Sequence, residues 1–232
     1  MDANFQQTAT PKKPNGKTIG IVTIVILLAL SAGYFFGKGN DATGYAVASN
    51  ATSSGHVVGL IGSVTAGKNI VEVCDYESEF CRKFYLELLP KMENDFVKTN
   101  RANIIFKDLP LNNIHTNARD AAEAARCANE QGKWREMHDI LFDKQNDWSP
   151  VADASGLKVK FMKMAGILEM DTSKFSACLD SNKYLGDIYK DAVESLAFGT
   201  FIVPAVYVNG VRIVNMQNYD SLKAEIEKNL PQ

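Results

Sequence analysis

Basic clusters are missing from this sequence. Its 25 Lys and Arg are outnumbered by 27 Asp and Glu, the net charge is −2, and no basic run is longer than the Lys12-Lys13 pair. Such a chain has no electrostatic drive toward polyanions, so nucleic acid is not an expected partner. Histidine is scarce too, at three residues in the chain. Only His115 is placed to approach the cysteines Cys74 and Cys81, and a closed zinc site needs four ligands, so no metal is expected. No Ser/His/Asp arrangement can be assembled, because Ser78 has no identifiable base. The stretch Gly62-Ser-Val-Thr-Ala-Gly-Lys-Asn69 approaches a phosphate-binding loop, but Asn69 stands where a Mg²⁺-binding hydroxyl is required. It also leads into a strand rather than a helix whose N–H groups would cradle phosphate. It reads as a turn joining two strands, and no cofactor is expected.

What is present begins with one long apolar run. Thr18 to Gly37 carries no charge and has the roughly twenty residues needed to cross a ~30 Å hydrocarbon layer. Lys12, Lys13 and Lys17 precede it and only Lys38 follows closely, which puts residues 1–17 in the cytoplasm, an anchor at 18–37 and the rest outside. The rival reading is a cleaved signal peptide. Its A-x-A match at Ala46-Val47-Ala48 lies farther from the apolar run than such sites usually do. In either case the folded part is extracytoplasmic, in the periplasm or at the cell exterior, an oxidising setting that suits four cysteines. Residues 38–56, rich in Gly, Ser, Ala, Asn and Thr, read as a flexible linker, and the Asn50-Ala51-Thr52 sequon is treated as linker composition. With 46% apolar residues, the 232-residue chain can hold one good-sized core, placed at 57–232.

That core is organised around Asn69 to Tyr85. Ile70 to Cys74 is a short apolar run with one acid, Glu72, suited to a buried parallel strand. Alternation sets Ile70, Glu72 and Cys74 on one face. From Glu79 the spacing turns helical through Phe80, Phe84, Leu86, Leu88 and Leu89, with Ser78 as N-cap. Cys81 therefore falls in the first turn, where free N–H groups and the helix dipole stabilise a thiolate.

This segment resembles the active site of the DsbA-like thioredoxin-fold oxidoreductases, particularly the membrane-anchored BdbD-type members. Their pattern is Val-Glu-Phe-x-Asp-Tyr-x-Cys-Pro-x-Cys-x-x-Phe, and Val71, Glu72, Asp75, Tyr76, Cys81 and Phe84 match it. The first cysteine of the pattern falls on Ser78, and its proline on Glu79. Serine cannot form a disulfide, so the usual Cys-x-x-Cys exchange is lost at this position. Glu79 adds negative charge beside the thiol, which makes it less acidic.

The remaining chain extends the likeness from about Ile61 to Leu230. Pro90 is expected to kink the first helix. Ala102 to Lys107 reads as a second core strand, parallel to the first. Asn112 to Gln145, Phe161 to Leu168, Thr172 to Leu179 and Tyr184 to Phe198 have helical periods, with an Ala-rich face at Ala118, Ala121, Ala122 and Ala125. Successive helices without a strand imply an inserted helical subdomain at about 112–198. Asn209-Gly210 between β-branched runs signals a hairpin, and Tyr219 to Leu230 a closing helix. The elements read as α/β, and the resemblance implies a thioredoxin fold with a helical insertion, preceded by one transmembrane helix.

The resemblance implies a cis Val203-Pro204 bond opposite the active site, with Val203 and Pro204 holding an extended client segment over Cys81. It also implies a structural disulfide between Cys127 and Cys178, although four cysteines by themselves allow three connectivities. Cys74 either meets Cys81 in a displaced redox disulfide or is a small buried apolar residue. Glu72 either relays protons to the inner cysteine or is a carboxyl that reaches water at the strand end. The activity implied is oxidation or reshuffling of cysteines in exported proteins, with a membrane redox partner. Two other readings stay open. One is a redox-silent client-binding or chaperone module. The other is a protein similar to kappa-class glutathione transferases, in which Ser78 would hold a glutathione thiolate.

Overall fold

A computed structural model describes residues 58–63 and 67–230. The expected anchor at 18–37, the linker at 38–56 with its sequon, and the Ala46-Val47-Ala48 site lie outside the described residues. Among those described, no helix is long and apolar enough to cross a membrane.

Two buried strands form the centre. β1 (Leu60–Ile61) is an edge strand, whereas β2 (Asn69–Cys74) and β3 (Asn103–Asp108) pair in parallel, with Ile70 opposite Ile104 and Cys74 opposite Asp108. Parallel strands need a crossover. Here it is α1 (Glu79–Glu87), α2 (Leu89–Met92) and a π-helical turn at Glu93–Val97. The break between α1 and α2 falls at Leu88, just ahead of Pro90, whose missing N–H is tolerated in the opening turn of a new helix.

β4 (Ala205–Val208) pairs antiparallel with β2, and β5 (Val211–Ile213) with β4. The sheet order is β1-β3-β2-β4-β5. The hairpin turn is made by Asn209 and Gly210, whose φ values of 52° and 77° are the positive pair a two-residue turn requires. β1 pairs antiparallel with β3, so residues 62–68 do join two strands.

Between β3 and β4 lies the helical insert: α3 (Ala118–Asn129), α4 (Trp134–Asp143), α5 (Gln145–Trp148), α6 (Ala154–Ile167), α7 (Thr172–Ser181) and α8 (Leu185–Ala197). The helix expected from Asn112 to Gln145 is in fact three. Leu111 to Asn117 is a turn segment, and Gly132 at φ 69° ends the α3 region. The alanines at 118, 121, 122 and 125 are buried as expected, and small side chains let α3 pack closely. Cys127 on α3 and Cys178 on α7 are joined in a disulfide with Cα atoms 5.8 Å apart. α9 (Tyr219–Asn229) closes the chain.

An ionic network fixes the insert to the sheet. Lys107 bonds Asp191 at 2.6 Å and Glu194 at 3.1 Å, and Arg126 bonds Asp108 at 2.7 Å and also Asp191. Charges this buried persist only when paired, and these pairs link β3, α3 and α8.

Candidate active site

The site forms where β2 runs into α1. Ser78 is the N-cap, with extended backbone and its Oγ accepting the Cys81 N–H at 3.3 Å, so Cys81 occupies the first turn. Cys74 ends β2 on the face beneath that turn. The two cysteines form a disulfide with Cα atoms 5.8 Å apart, inside the range a disulfide spans. Both are 0% exposed, and the Asp75 N–H donates to Cys81 Sγ at 3.4 Å.

The loop between the cysteines is clamped on several sides. The Asp75 carboxylate accepts the N–H groups of Glu77 and Leu111, both at 2.7 Å, and faces His115 Nδ1 at 2.9 Å. Glu77 accepts the Asn117 N–H at 2.7 Å, while Gln145 Nε2 donates to the carbonyls of Tyr76 at 2.7 Å and Ser78 at 3.0 Å. Tyr76 turns inward to His138 Nδ1 at 3.0 Å, among Phe106, Trp134 and Phe142. His138 is wholly buried, and burial holds it well below the usual imidazole range. His115 thus serves the Asp75 carboxylate, and the sulfurs of Cys74 and Cys81 are committed to each other.

Glu72 shares the Cys74 face of β2 and is 0% exposed, with neither carboxyl oxygen hydrogen-bonded. Burial pushes its pKa up to about 8, with Arg135 opposing. A carboxyl that reaches water at the strand end is excluded by this burial. Glu79 is exposed in the first turn of α1, where its charge complements the helix dipole. Ser78 is buried at 3% exposure.

The Val203-Pro204 bond is cis and leads into β4. Beside it opens a groove of about 540 Å³, lined by Phe80, Phe84, Leu88, Val203, Pro204 and Tyr219 among others. Phe80, placed by its spacing on the apolar face of α1, is 74% exposed, and Ile202, which also lines the groove, is 71% exposed. Large apolar side chains left in water around one groove mark an interaction surface.

Some contributors were missed in the sequence. Asp75 carried a signal, since an Asp two residues ahead of a backbone N–H it can bond is a turn former. Gln145 carried none: it lies 67 residues from Ser78, and only the tertiary fold brings them together.

A helix that starts at the end of a parallel strand, carries a cysteine in its first turn and shares a groove with a cis-proline loop has the make-up of a thioredoxin-type thiol-disulfide site. A family model described as thioredoxin matches residues 53–228, and the chain belongs to this family, within its DsbA-like thiol-disulfide oxidoreductase branch. The chain is 25% identical over 193 residues to disulfide bond formation protein D of Bacillus subtilis, covering 83% of each. It is 29% identical over 157 residues to a protein of Salinispora tropica named Na(+)/H(+) antiporter NhaA 3, where the match takes up 68% of this chain but only 22% of that protein. Among solved structures, oxidised BdbD of Bacillus subtilis superposes with a TM-score of 0.65 at 24% identity, covering 75% of this chain and 92% of that one. Wolbachia pipientis α-DsbA1 follows the same fold, with a TM-score of 0.62 at 17% identity over 74% and 90% of the two chains.

Proposed function

We propose that this chain is a membrane-anchored, extracytoplasmic protein-disulfide oxidoreductase whose exchanging pair is Cys74–Cys81, displaced from the Cys-x-x-Cys position that Ser78 interrupts. The observation that carries the reading is the disulfide itself, spanning strand and helix beside a partnerless Glu72.

A client thiolate attacks Cys81 Sγ, the S–S bond breaks, and Cys74 leaves as a thiolate that takes its proton from the Glu72 carboxyl. A second client thiolate then attacks the client sulfur of the mixed disulfide, and Cys81 leaves. The Asp75 N–H and the N-terminus of α1 stabilise that departing thiolate. The client loses two electrons and two protons as its disulfide forms; the pair takes the electrons, one proton restores the Glu72 carboxyl that protonated Cys74, and the other goes to the Cys81 thiolate, which leaves two thiols. Because both sulfurs are buried, attack requires the Asp75–Phe80 loop to open first. Val203 and Pro204, with the apolar groove beside them, support an extended client segment as the substrate. The clients are exported proteins with cysteines, and a membrane redox partner restores the bridge. Residues 18–37 serve as the anchor, on the strength of their composition.

The test is oxidation of a reduced dithiol peptide, together with insulin reduction, by wild type and Cys81→Ser. Activity that disappears in the variant supports the reading, and equal activity in both sinks it. Burial of both sulfurs favours a second reading, a redox-silent client-binding module, which predicts peptide binding with no exchange. The glutathione reading draws less support, since Ser78 is buried and its Oγ already accepts the Cys81 N–H. It predicts glutathione affinity that Ser78→Ala abolishes.

A further inference from the structure

The Cys127–Cys178 bridge has surroundings that a purely structural crosslink does not need. A carboxylate oxygen of Glu123 lies within 4.8 Å of both sulfurs, and Glu130 Oε1 lies 3.1 Å from Cys178 Sγ. Glu123 sits one helical turn before Cys127 on α3, which puts their side chains on one face. It is 2% exposed. One of its oxygens accepts the Tyr184 N–H at 3.1 Å, while Oε2 has no partner.

A buried acceptor without a donor carries a cost that any incoming proton donor would relieve. Opening the disulfide supplies such donors, because two S–H groups appear and the sulfurs separate to van der Waals contact. Cys178 would then donate to Glu130, and Cys127 would turn toward Glu123. Burial also pushes the Glu123 carboxyl above its ordinary range, against the pull of the Tyr184 N–H and Arg126. The second observation is access. Cys178 is 5% exposed, whereas Cys74 and Cys81 are each 0% exposed. A cleft of about 300 Å³ is lined by Glu123 and by Leu179, the residue that follows Cys178.

We propose that Cys127–Cys178 is a second redox-active pair, which exchanges with small dithiols in the native state, and that Glu123 and Glu130 are the acceptors that hold its reduced form. A dithiol's first thiol releases its proton to water and, as a thiolate, attacks Cys178 Sγ; the S–S bond breaks, and Cys127 leaves, takes up a proton from water and turns its S–H to Glu123. The second thiol releases its proton in the same way and attacks the dithiol sulfur of the mixed disulfide, and Cys178 leaves, takes up a proton and donates to Glu130. The dithiol becomes a disulfide and the bridge becomes two thiols, a balanced transfer of two electrons and two protons. This inference is independent of exchange at Cys74–Cys81. The two pairs lie in different tryptic neighbourhoods and are read separately.

The test equilibrates the full-length chain against graded ratios of reduced and oxidised dithiothreitol, followed by acid quench, alkylation and mass mapping of each bridge, with circular dichroism in parallel. Cys127–Cys178 is expected to open ahead of Cys74–Cys81 while the native spectrum persists. Glu123→Leu is expected to shift its midpoint about tenfold toward more reducing ratios, the factor that one hydrogen bond to a charged group supplies. Glu123→Gln, which keeps an acceptor oxygen, is expected to recover most of that shift. A bridge that opens only as the chain unfolds, or a midpoint that Glu123→Leu leaves unmoved, overturns the proposal. Should Glu123→Leu not fold, the wild-type order of opening decides it.

Discussion

Gln145 reaches from α5 to Ser78, donating its side-chain amide to the Ser78 carbonyl at 3.0 Å while the same nitrogen holds the Tyr76 carbonyl at 2.7 Å. Two carbonyls of the loop that covers Cys74–Cys81 thus depend on one side chain from the helical insert. Gln145→Ala takes the side-chain donor from the buried Tyr76 carbonyl, while the Ser78 carbonyl keeps the Arg82 N–H at 3.0 Å, at a cost of about 1–3 kcal/mol in stability. It also loosens the loop, so reduction of the Cys74–Cys81 bridge by dithiothreitol is expected to speed up. Stopped reduction with mass mapping reads the rate, and urea unfolding reads the stability. An unchanged rate would show that the loop is not the barrier.

Glu72 predicts a pH dependence of stability. Its pKa in the fold is raised from 4.5 to about 8, so native protein keeps a proton that unfolded chain releases across that window. Its contribution is fully present below pH 4.5 and is lost as pH rises toward about 8, at about 1.4 kcal/mol per pH unit while the window lasts. Glu72→Gln removes the slope. In thermal melts from pH 5 to 8 the variant is expected to gain on wild type steadily, and parallel curves would contradict the assignment.

Arg126 is predicted to be indispensable to the junction of insert and sheet. Arg126→Ala strands the buried carboxylate of Asp108 and leaves Asp191 with Lys107 alone, and breaking a buried pair from one side costs about 3–5 kcal/mol. Chemical denaturation checks this figure. A loss below about 1 kcal/mol would mean that water replaces the guanidinium.

The exposed apolar rim gives a prediction that separates binding from chemistry. Ile202→Asp is expected to weaken capture of an apolar dithiol peptide by about tenfold, a size set by losing one buried large side chain, while leaving reduction by dithiothreitol unchanged. Fluorescence titration and the reduction assay together read the two effects. Equal loss in both would place Ile202 in the exchange step.

The fold was legible in the sequence where local chemistry and tertiary structure agree. Ser78 was readable as an N-cap because its hydroxyl acts three residues away, and Asn209-Gly210 because a two-residue turn demands positive φ. The Cys74–Cys81 pairing was readable only as a geometric alternative, since strand alternation set the face of Cys74 but not its distance from α1. Glu72 could be read as buried or frayed into water, and packing from β4 and the crossover decided it. The split of residues 112–145 into separate helices escaped a periodicity that continues across Gly132. The clamps on the 75–80 loop escaped because their partners, Leu111, Asn117 and Gln145, come from distant parts of the chain.

The most direct measurement mixes the oxidised, folded full-length protein with a reduced dithiol peptide and maps the cysteines after acid quench, using wild type and Cys74→Ala. The account predicts peptide oxidation matched by opening of Cys74–Cys81 in wild type, and a peptide joined to Cys81 that accumulates when Cys74→Ala is mixed with the oxidised peptide. A Cys74–Cys81 bridge that stays closed in native protein, with no adduct at Cys81 in the variant, would contradict it.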